Sequence, residues 1–285
     1  MIPVLEMRNF MYSTGAAIIA CVLCLVMNMI LVRKKRELLG APVLFVIKKV
    51  SPLADKHKIL KPFASKTFWA TLEMILFTVF EIVIQPLINR NFGILVGTDG
   101  NFFGLTYFAP FIFGTIFLMF WQNPLKNMDL FAFTIPLMLT SNKIGCFFAG
   151  CCNGVWWPGG LYNYHVESRR EEVPIQLVEA ACAVIVFIFI VVYNNKNKKR
   201  KDGDLYPIFV ILFSGLRFIS EFWRDDKLVW LNFRYYHLFC AIGVVYGIIM
   251  LLLVNKYSDK FNIYFNNTVY FSRKLKEKRF RKYND

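Results

Sequence analysis

Residues 173–201 read VPIQLVEAACAVIVFIFIVVYNNKNKKRK. The first twenty-one hold a single charged side chain, Glu179, and close in an unbroken apolar run from Ala180 to Tyr193. About 20 such residues, rising 1.5 Å each, cross the hydrocarbon core of a bilayer. The eight residues that follow carry five Lys or Arg, the mark of a cytoplasmic flank. The stretch therefore predicts a membrane helix that enters from outside near 173 and ends inside near 194.

Working outward, six further runs approach spanning length: 12–32, 68–88, 102–121, 128–150, 205–223 and 236–254. With the amino terminus outside, the cytoplasmic segments 33–67, 122–127, 194–204 and 255–285 contain 25 of the 34 Lys and Arg residues. The outer segments contain 7, and Lys143 and Arg217 lie within spans. That asymmetry is a positive-inside pattern. The expected fold is all-α: a polytopic transmembrane helical bundle of seven spans, amino terminus outside and carboxyl terminus cytoplasmic. It comprises a seven-span domain over 1–254 and a basic cytoplasmic tail over 255–285, multi-pass in the plasma membrane.

Composition agrees. Of 285 residues, 56% are hydrophobic, 30 are Phe, and mean hydropathy is +0.45, above the apolar share of soluble domains. The net charge of +15 follows from topology and attraction to anionic lipids at the cytoplasmic face, so no nucleic-acid partner is expected. The opening residues MIPVLEMRNF lack a basic n-region and a small-residue cleavage site, so the first run reads as a retained span. Between the first two spans, APVLFVIKKVSPL is too short to cross and carries Lys48 and Lys49, which suits a helix lying in the interface.

Charges at membrane depth are costly and mark functional positions. Lys143 and Arg217 both fall roughly 20 Å along outward-running spans at 1.5 Å per residue, which places two cations together in the outer half of the bilayer. Such a pair suits an anion, and the abundant anion there is a lipid phosphate. Arg217, Glu221 and Arg224 follow i, i+4, i+7 spacing and share one helix face. An intrahelical ion pair, with Arg224 reaching to the interface, also accounts for them. Glu81, in the outer half of the second span, is the expected partner for a deep arginine. Glu73 reads as interfacial.

The fourth span ends Lys143-Ile-Gly-Cys-Phe-Phe-Ala-Gly-Cys-Cys-Asn-Gly154, followed by Trp156 and Trp157. Gly145, Gly150 and Gly154 permit close backbone approach and a helix exit. The tryptophans suit an outer interface. Cys146, Cys151 and Cys152 lack a nearby His or second Cys pair at ligand spacing, so packing thiols are expected, with no metal.

This segment resembles the signature of the prolipoprotein diacylglyceryl transferase family, in its cysteine-containing variant. Two more segments agree in order. Val173-Pro174-Ile175-Gln176-Leu177-Val178-Glu179 is similar to the family's His-Pro-Thr-Gln-Leu-Tyr-Glu. Gly215-Leu216-Arg217-Phe218-Ile219-Ser220-Glu221-Phe222-Trp223-Arg224 is similar to Gly-x-x-Arg-Phe-x-x-Glu-Phe-x-Arg. The departures are Lys143 in place of the motif arginine, Cys146 and Cys151 where well-known members carry Asn and Glu, and Val173 and Ile175 for His and Thr. The stretch from Phe103 to Pro110 also lacks the family's His and most of its glycines.

The resemblance implies transfer of a diacylglyceryl group from phosphatidylglycerol to the lipobox cysteine beside a prolipoprotein signal peptide, with no cofactor. It places Arg217, Lys143 and Glu221 in catalytic roles. Arg224, Gly145, Gly150, Gly154, Gln176 and Glu81 then line the substrate site. Two other classes remain open from the residues: a non-catalytic lipid-binding paralogue, which the altered third-span motif favours, and a small transporter, which span count alone favours.

Overall fold

The computed structural model describes residues 39, 41–73, 124–162, 171–197, 199–225, 228–230 and 233–281, together with scattered positions in 15–36 and 75–91. The third expected span and most of the second, with Glu81, lie outside the described residues.

The principal elements of the described chain are α1 (Ala41–Lys56), α2 (Pro124–Ala149), β1 (Trp156–Tyr162), β2 (Glu171–Glu172), α3 (Ile175–Lys196), α4 (Leu205–Ser220), β3 (Leu228–Trp230), β4 (Phe233–Arg234) and α5 (Tyr235–Arg281). A shorter apolar helix covers Ile18–Arg33. Four helical segments are long and apolar enough to cross a membrane: Leu125–Ala149, Ile175–Lys196, Leu205–Trp223 and Tyr235–Phe261. They coincide with the expected spans four to seven. The mostly helical, multi-span reading is therefore sound, and an all-α description needs one correction. The loops α2–α3 and α4–α5 each fold into an antiparallel pair, β1 with β2 and β3 with β4. Their residues sit where backbone groups must find partners outside a helix.

The bundle packs α2 on α3, α3 on α4, and α4 on α5. Phe131, Ile135, Ala183, Val186, Ile190, Tyr206 and Phe209 form the shared core. The outward faces are equally apolar. Leu238, Ile242, Val245, Ile249 and Leu252 make an exposed stripe along α5, and Ile185, Ile188 and Val192 another on α3. Their i, i+3, i+4 spacing is that of one helix face. Apolar stripes this extensive are disfavoured in water and suit lipid. The helix α5 runs unbroken for 47 residues, through the basic segment expected as a tail.

Opposite the site described below, one carboxylate joins three elements. Asp129 on α2 accepts hydrogen bonds from Arg200 Nη1 (2.6 Å), Gly203 N (3.0 Å) and Leu205 N (2.9 Å). The last belongs to the buried amino-terminal end of α4, where a carboxylate is favoured by the helix dipole.

Candidate functional site

The site is built where α2, α3 and α4 end on the same side of the bundle. Arg217 lies in the last turn of α4, and the chain continues as a single 3-10 turn, Glu221–Trp223. This keeps Arg217, Glu221 and Arg224 facing inward together. Arg217 Nη2 meets Glu221 Oε2 at 2.9 Å, the i, i+4 pair the spacing predicts. Arg224 also turns inward, with its guanidinium about nine-tenths buried and 3.9 Å from Glu221. A position reaching to the interface is thereby corrected: the carboxylates lie inside the bundle, and the cation follows them.

The centre of the cluster is Glu179 on α3. Its side chain is 4% exposed and meets Lys143 Nζ at 2.5 Å, Arg224 Nη1 at 3.4 Å and Arg217 Nη1. One carboxylate thus gathers cations from α2, α4 and the turn after α4. The sequence suggests Glu81 as an arginine partner, a position outside the described residues; among the described residues Glu179 is one. A signal for Glu179 was present, since it is the lone charge in an otherwise apolar run, but hydropathy cannot say which helix it faces. Glu221 is fully buried and ion-paired to two arginines. That environment lets Glu221 orient the two guanidinium groups.

A fourth cation enters from the second hairpin. Arg234 is buried, and its Nη1 donates to the backbone oxygen of Glu221 at 2.6 Å. Its own amide donates to His237 Nδ1 at 3.0 Å. In a neutral imidazole an accepting Nδ1 puts the proton on Nε2. His237 is therefore a donor at its other nitrogen, boxed by Phe218, Phe222 and Phe233 with ring centroids 4.9, 4.4 and 5.3 Å away. Neither Arg234 nor His237 was singled out from sequence.

The loop leaving α2 forms one wall. Gly150 adopts φ 75°, a left-handed conformation open to glycine. Gln176, fully buried in the first turn of α3, donates from Nε2 to Cys151 O at 2.8 Å. Gly154 is pressed between two strands of chain: a Cβ there would lie 2.0 Å from Val173 O and 3.3 Å from Trp223 O. It bridges Arg224 in antiparallel fashion, and Val155 N donates to Trp223 O at 2.9 Å. Gly145 sits buried within α2. The structure therefore brings together Lys143, Arg217, Glu221, Arg224, Gln176, Gly150 and Gly154, adds Glu179 and Arg234, and leaves Glu81 outside the described residues.

Chemically, Lys143, Arg217 and Arg224 face two carboxylates, Glu179 and Glu221, in a setting with little water. Among the described residues three cations share these two carboxylates, an arrangement that suits an anion. Trp156 and Trp157, both more than half exposed on β1, lie on the loop that leaves this end of the bundle.

Comparison with known proteins places the chain in a family. A family profile described as prolipoprotein diacylglyceryl transferase matches residues 65–253, well over half of the chain and every element of the site. A phosphatidylglycerol–prolipoprotein diacylglyceryl transferase of Campylobacter hominis is 28% identical over 180 residues, covering 60% of this chain and 58% of the relative. The aligned region thus spans less than two thirds of the relative's length. The chain belongs to the prolipoprotein diacylglyceryl transferase family.

Proposed function

Proceeding from that membership, we propose that this protein transfers the diacylglyceryl group of phosphatidylglycerol to the lipobox cysteine of a prolipoprotein. The carrying observation is the convergence of Lys143, Arg217 and Arg224, from two helices and a turn, on Glu179 and Glu221. In the reaction the carbon–oxygen bond between the diacylglyceryl group and the phosphate breaks, and a carbon–sulfur bond forms. Glycerol phosphate departs with the electron pair, and the thiol proton passes to solvent or to a base.

Cations held at a fixed position stabilise charge as it gathers on the leaving phosphate. Arg217 and Lys143 serve this role, and Arg224 contacts the headgroup. Glu179 and Glu221 hold the cations in place. The fold sits in the plasma membrane as seven spans with the amino terminus outside, so that the site opens towards the outer leaflet. The basic cytoplasmic segments rest against anionic lipid. The 25-to-7 division of Lys and Arg supports that orientation, and reporters fused before Ile2 and after Asp285 test it.

Activity is tested with purified protein in phosphatidylglycerol vesicles and a lipobox peptide, scoring thioether product by mass. Arg217→Ala is expected to lower turnover at least ~100-fold with membrane insertion unchanged. Wild-type turnover in that variant would reduce Arg217 to a structural ion pair. The altered stretch Phe103–Pro110 favours a second reading, a lipid-binding relative without turnover. Phosphatidylglycerol binding with no thioether from the wild-type protein selects it.

A further inference from the structure

Cys146, Cys151 and Cys152 have their three Sγ atoms within 4.8 Å of one another. Sequence spacing gives no reason to expect this, since adjacent side chains on a regular backbone point apart. The backbone supplies the reason. Cys146 stands in the last turn of α2, and Cys151 N donates to Cys146 O at 3.1 Å, folding the chain back over the helix end. Cys151 Sγ itself lies 3.6 Å from the same oxygen. Cys152 then adopts φ 59°, a left-handed conformation that a residue bearing a Cβ rarely takes. This turns the second thiol of the pair back towards the first. Such a conformation costs on the order of 1–3 kcal/mol and persists where surrounding contacts over-determine it. Here Gln176 holds Cys151 O and Asp225 N donates to Asn153 O at 3.0 Å, on either side of Cys152.

We propose that these three cysteines form a binding site for a thiophilic d10 cation, zinc(II) or copper(I), at the outer end of α2. This departs from the packing role expected from sequence, and it stands independently of the transferase reading. Three ligands at about 2.3 Å require sulfur–sulfur separations of about 3.8 Å in a tetrahedral set and about 4.0 Å in a trigonal one. The thiols reach those values by small side-chain rotations. Soft thiolates select zinc and copper(I) over hard cations.

Charge agrees as well. Three thiolates and a divalent ion carry one net negative charge, and their three protons pass to solvent on binding. Lys143 and Arg224 both lie within electrostatic reach of Cys152. Cys151 is exposed and the other two thiols are partly so, which leaves an entry path and, for zinc, an open fourth position.

The test uses the full chain, purified and reduced, in lipid nanodiscs. It is titrated with zinc(II) and with copper(I) against a competing chelator, and with cobalt(II) as a spectroscopic stand-in. One ion per chain is expected, with a thiolate-to-cobalt charge-transfer band. Each of Cys146→Ser, Cys151→Ser and Cys152→Ser should weaken binding at least tenfold, and the triple variant should abolish it. Cys182→Ser and Cys240→Ser, elsewhere in the bundle, should bind as the parent does. The wild-type cobalt spectrum needs no variant, so a folding defect in the serine proteins leaves the proposal decidable. Uptake of both zinc(II) and copper(I) well below one ion per chain, or binding retained by the triple variant, overturns it; absence of the cobalt band with copper(I) bound one per chain selects copper(I). So does a disulfide among the three that forms in place of ion binding.

Discussion

Gln176 Nε2 donates to Cys151 O at 2.8 Å, so the first turn of α3 holds the loop that leaves α2. The amide is fully buried, and its bond adds to the Lys143–Glu179 ion pair that also joins α2 and α3. Gln176→Leu keeps the volume and removes the donor. We expect a loss of about 1–2 kcal/mol and faster labelling of Cys151 by a polar thiol reagent. Unchanged labelling would mean that the loop is held by its other contacts.

Glu179 carries the largest electrostatic consequence. Replacing it by Ala takes from Lys143, Arg217 and Arg224 the carboxylate that all three share. Removing one member of a buried ion network typically costs about 3–5 kcal/mol. Glu179→Ala should therefore show a marked fall in thermal midpoint in detergent and no transfer activity. Glu179→Gln, which retains shape and two acceptor lone pairs, should recover part of the stability and little activity. Equal behaviour of the two variants would argue against a charge-based role.

Gly154 makes a steric prediction that has its own control. A Cβ at 2.0 Å from Val173 O can be accommodated only by moving backbone, and overpacking of this kind costs about 1–3 kcal/mol. Gly154→Ala should lower folded yield and disturb the approach of Arg224. Gly215→Ala, where a Cβ meets nothing within 4 Å, should be neutral in the same size-exclusion and thermal assays.

At the other end of the bundle, Asp129→Asn removes the charge that Arg200 and the amides of Gly203 and Leu205 share. We expect destabilisation of roughly 3 kcal/mol with little change in substrate affinity, because this position lies away from the Glu179 cluster. A change in affinity without a change in thermal midpoint would contradict that separation.

Much of the architecture was readable before any coordinate. Apolar runs such as 180–193 state their own membrane character, because burial in hydrocarbon depends on local composition and length. The i, i+4 relation of Arg217 and Glu221 followed from helix geometry alone, and the ordered motifs around Lys143, Gln176 and Arg217 pointed to the family. Interhelical partnership was not readable in that way. Glu179 and Glu81 are each a carboxylate in an apolar span, and choosing between them as the arginine partner requires knowing how the helices rotate and which ends meet. The close passage of Val173 over Gly154 and the bonds from Gln176 and Asp225 that flank Cys152 likewise bring together chain segments apart in sequence. Hydropathy and spacing are properties of a single segment. The hub at Glu179 and the gathering of three thiols depend on distances across segments, and tertiary packing alone sets those.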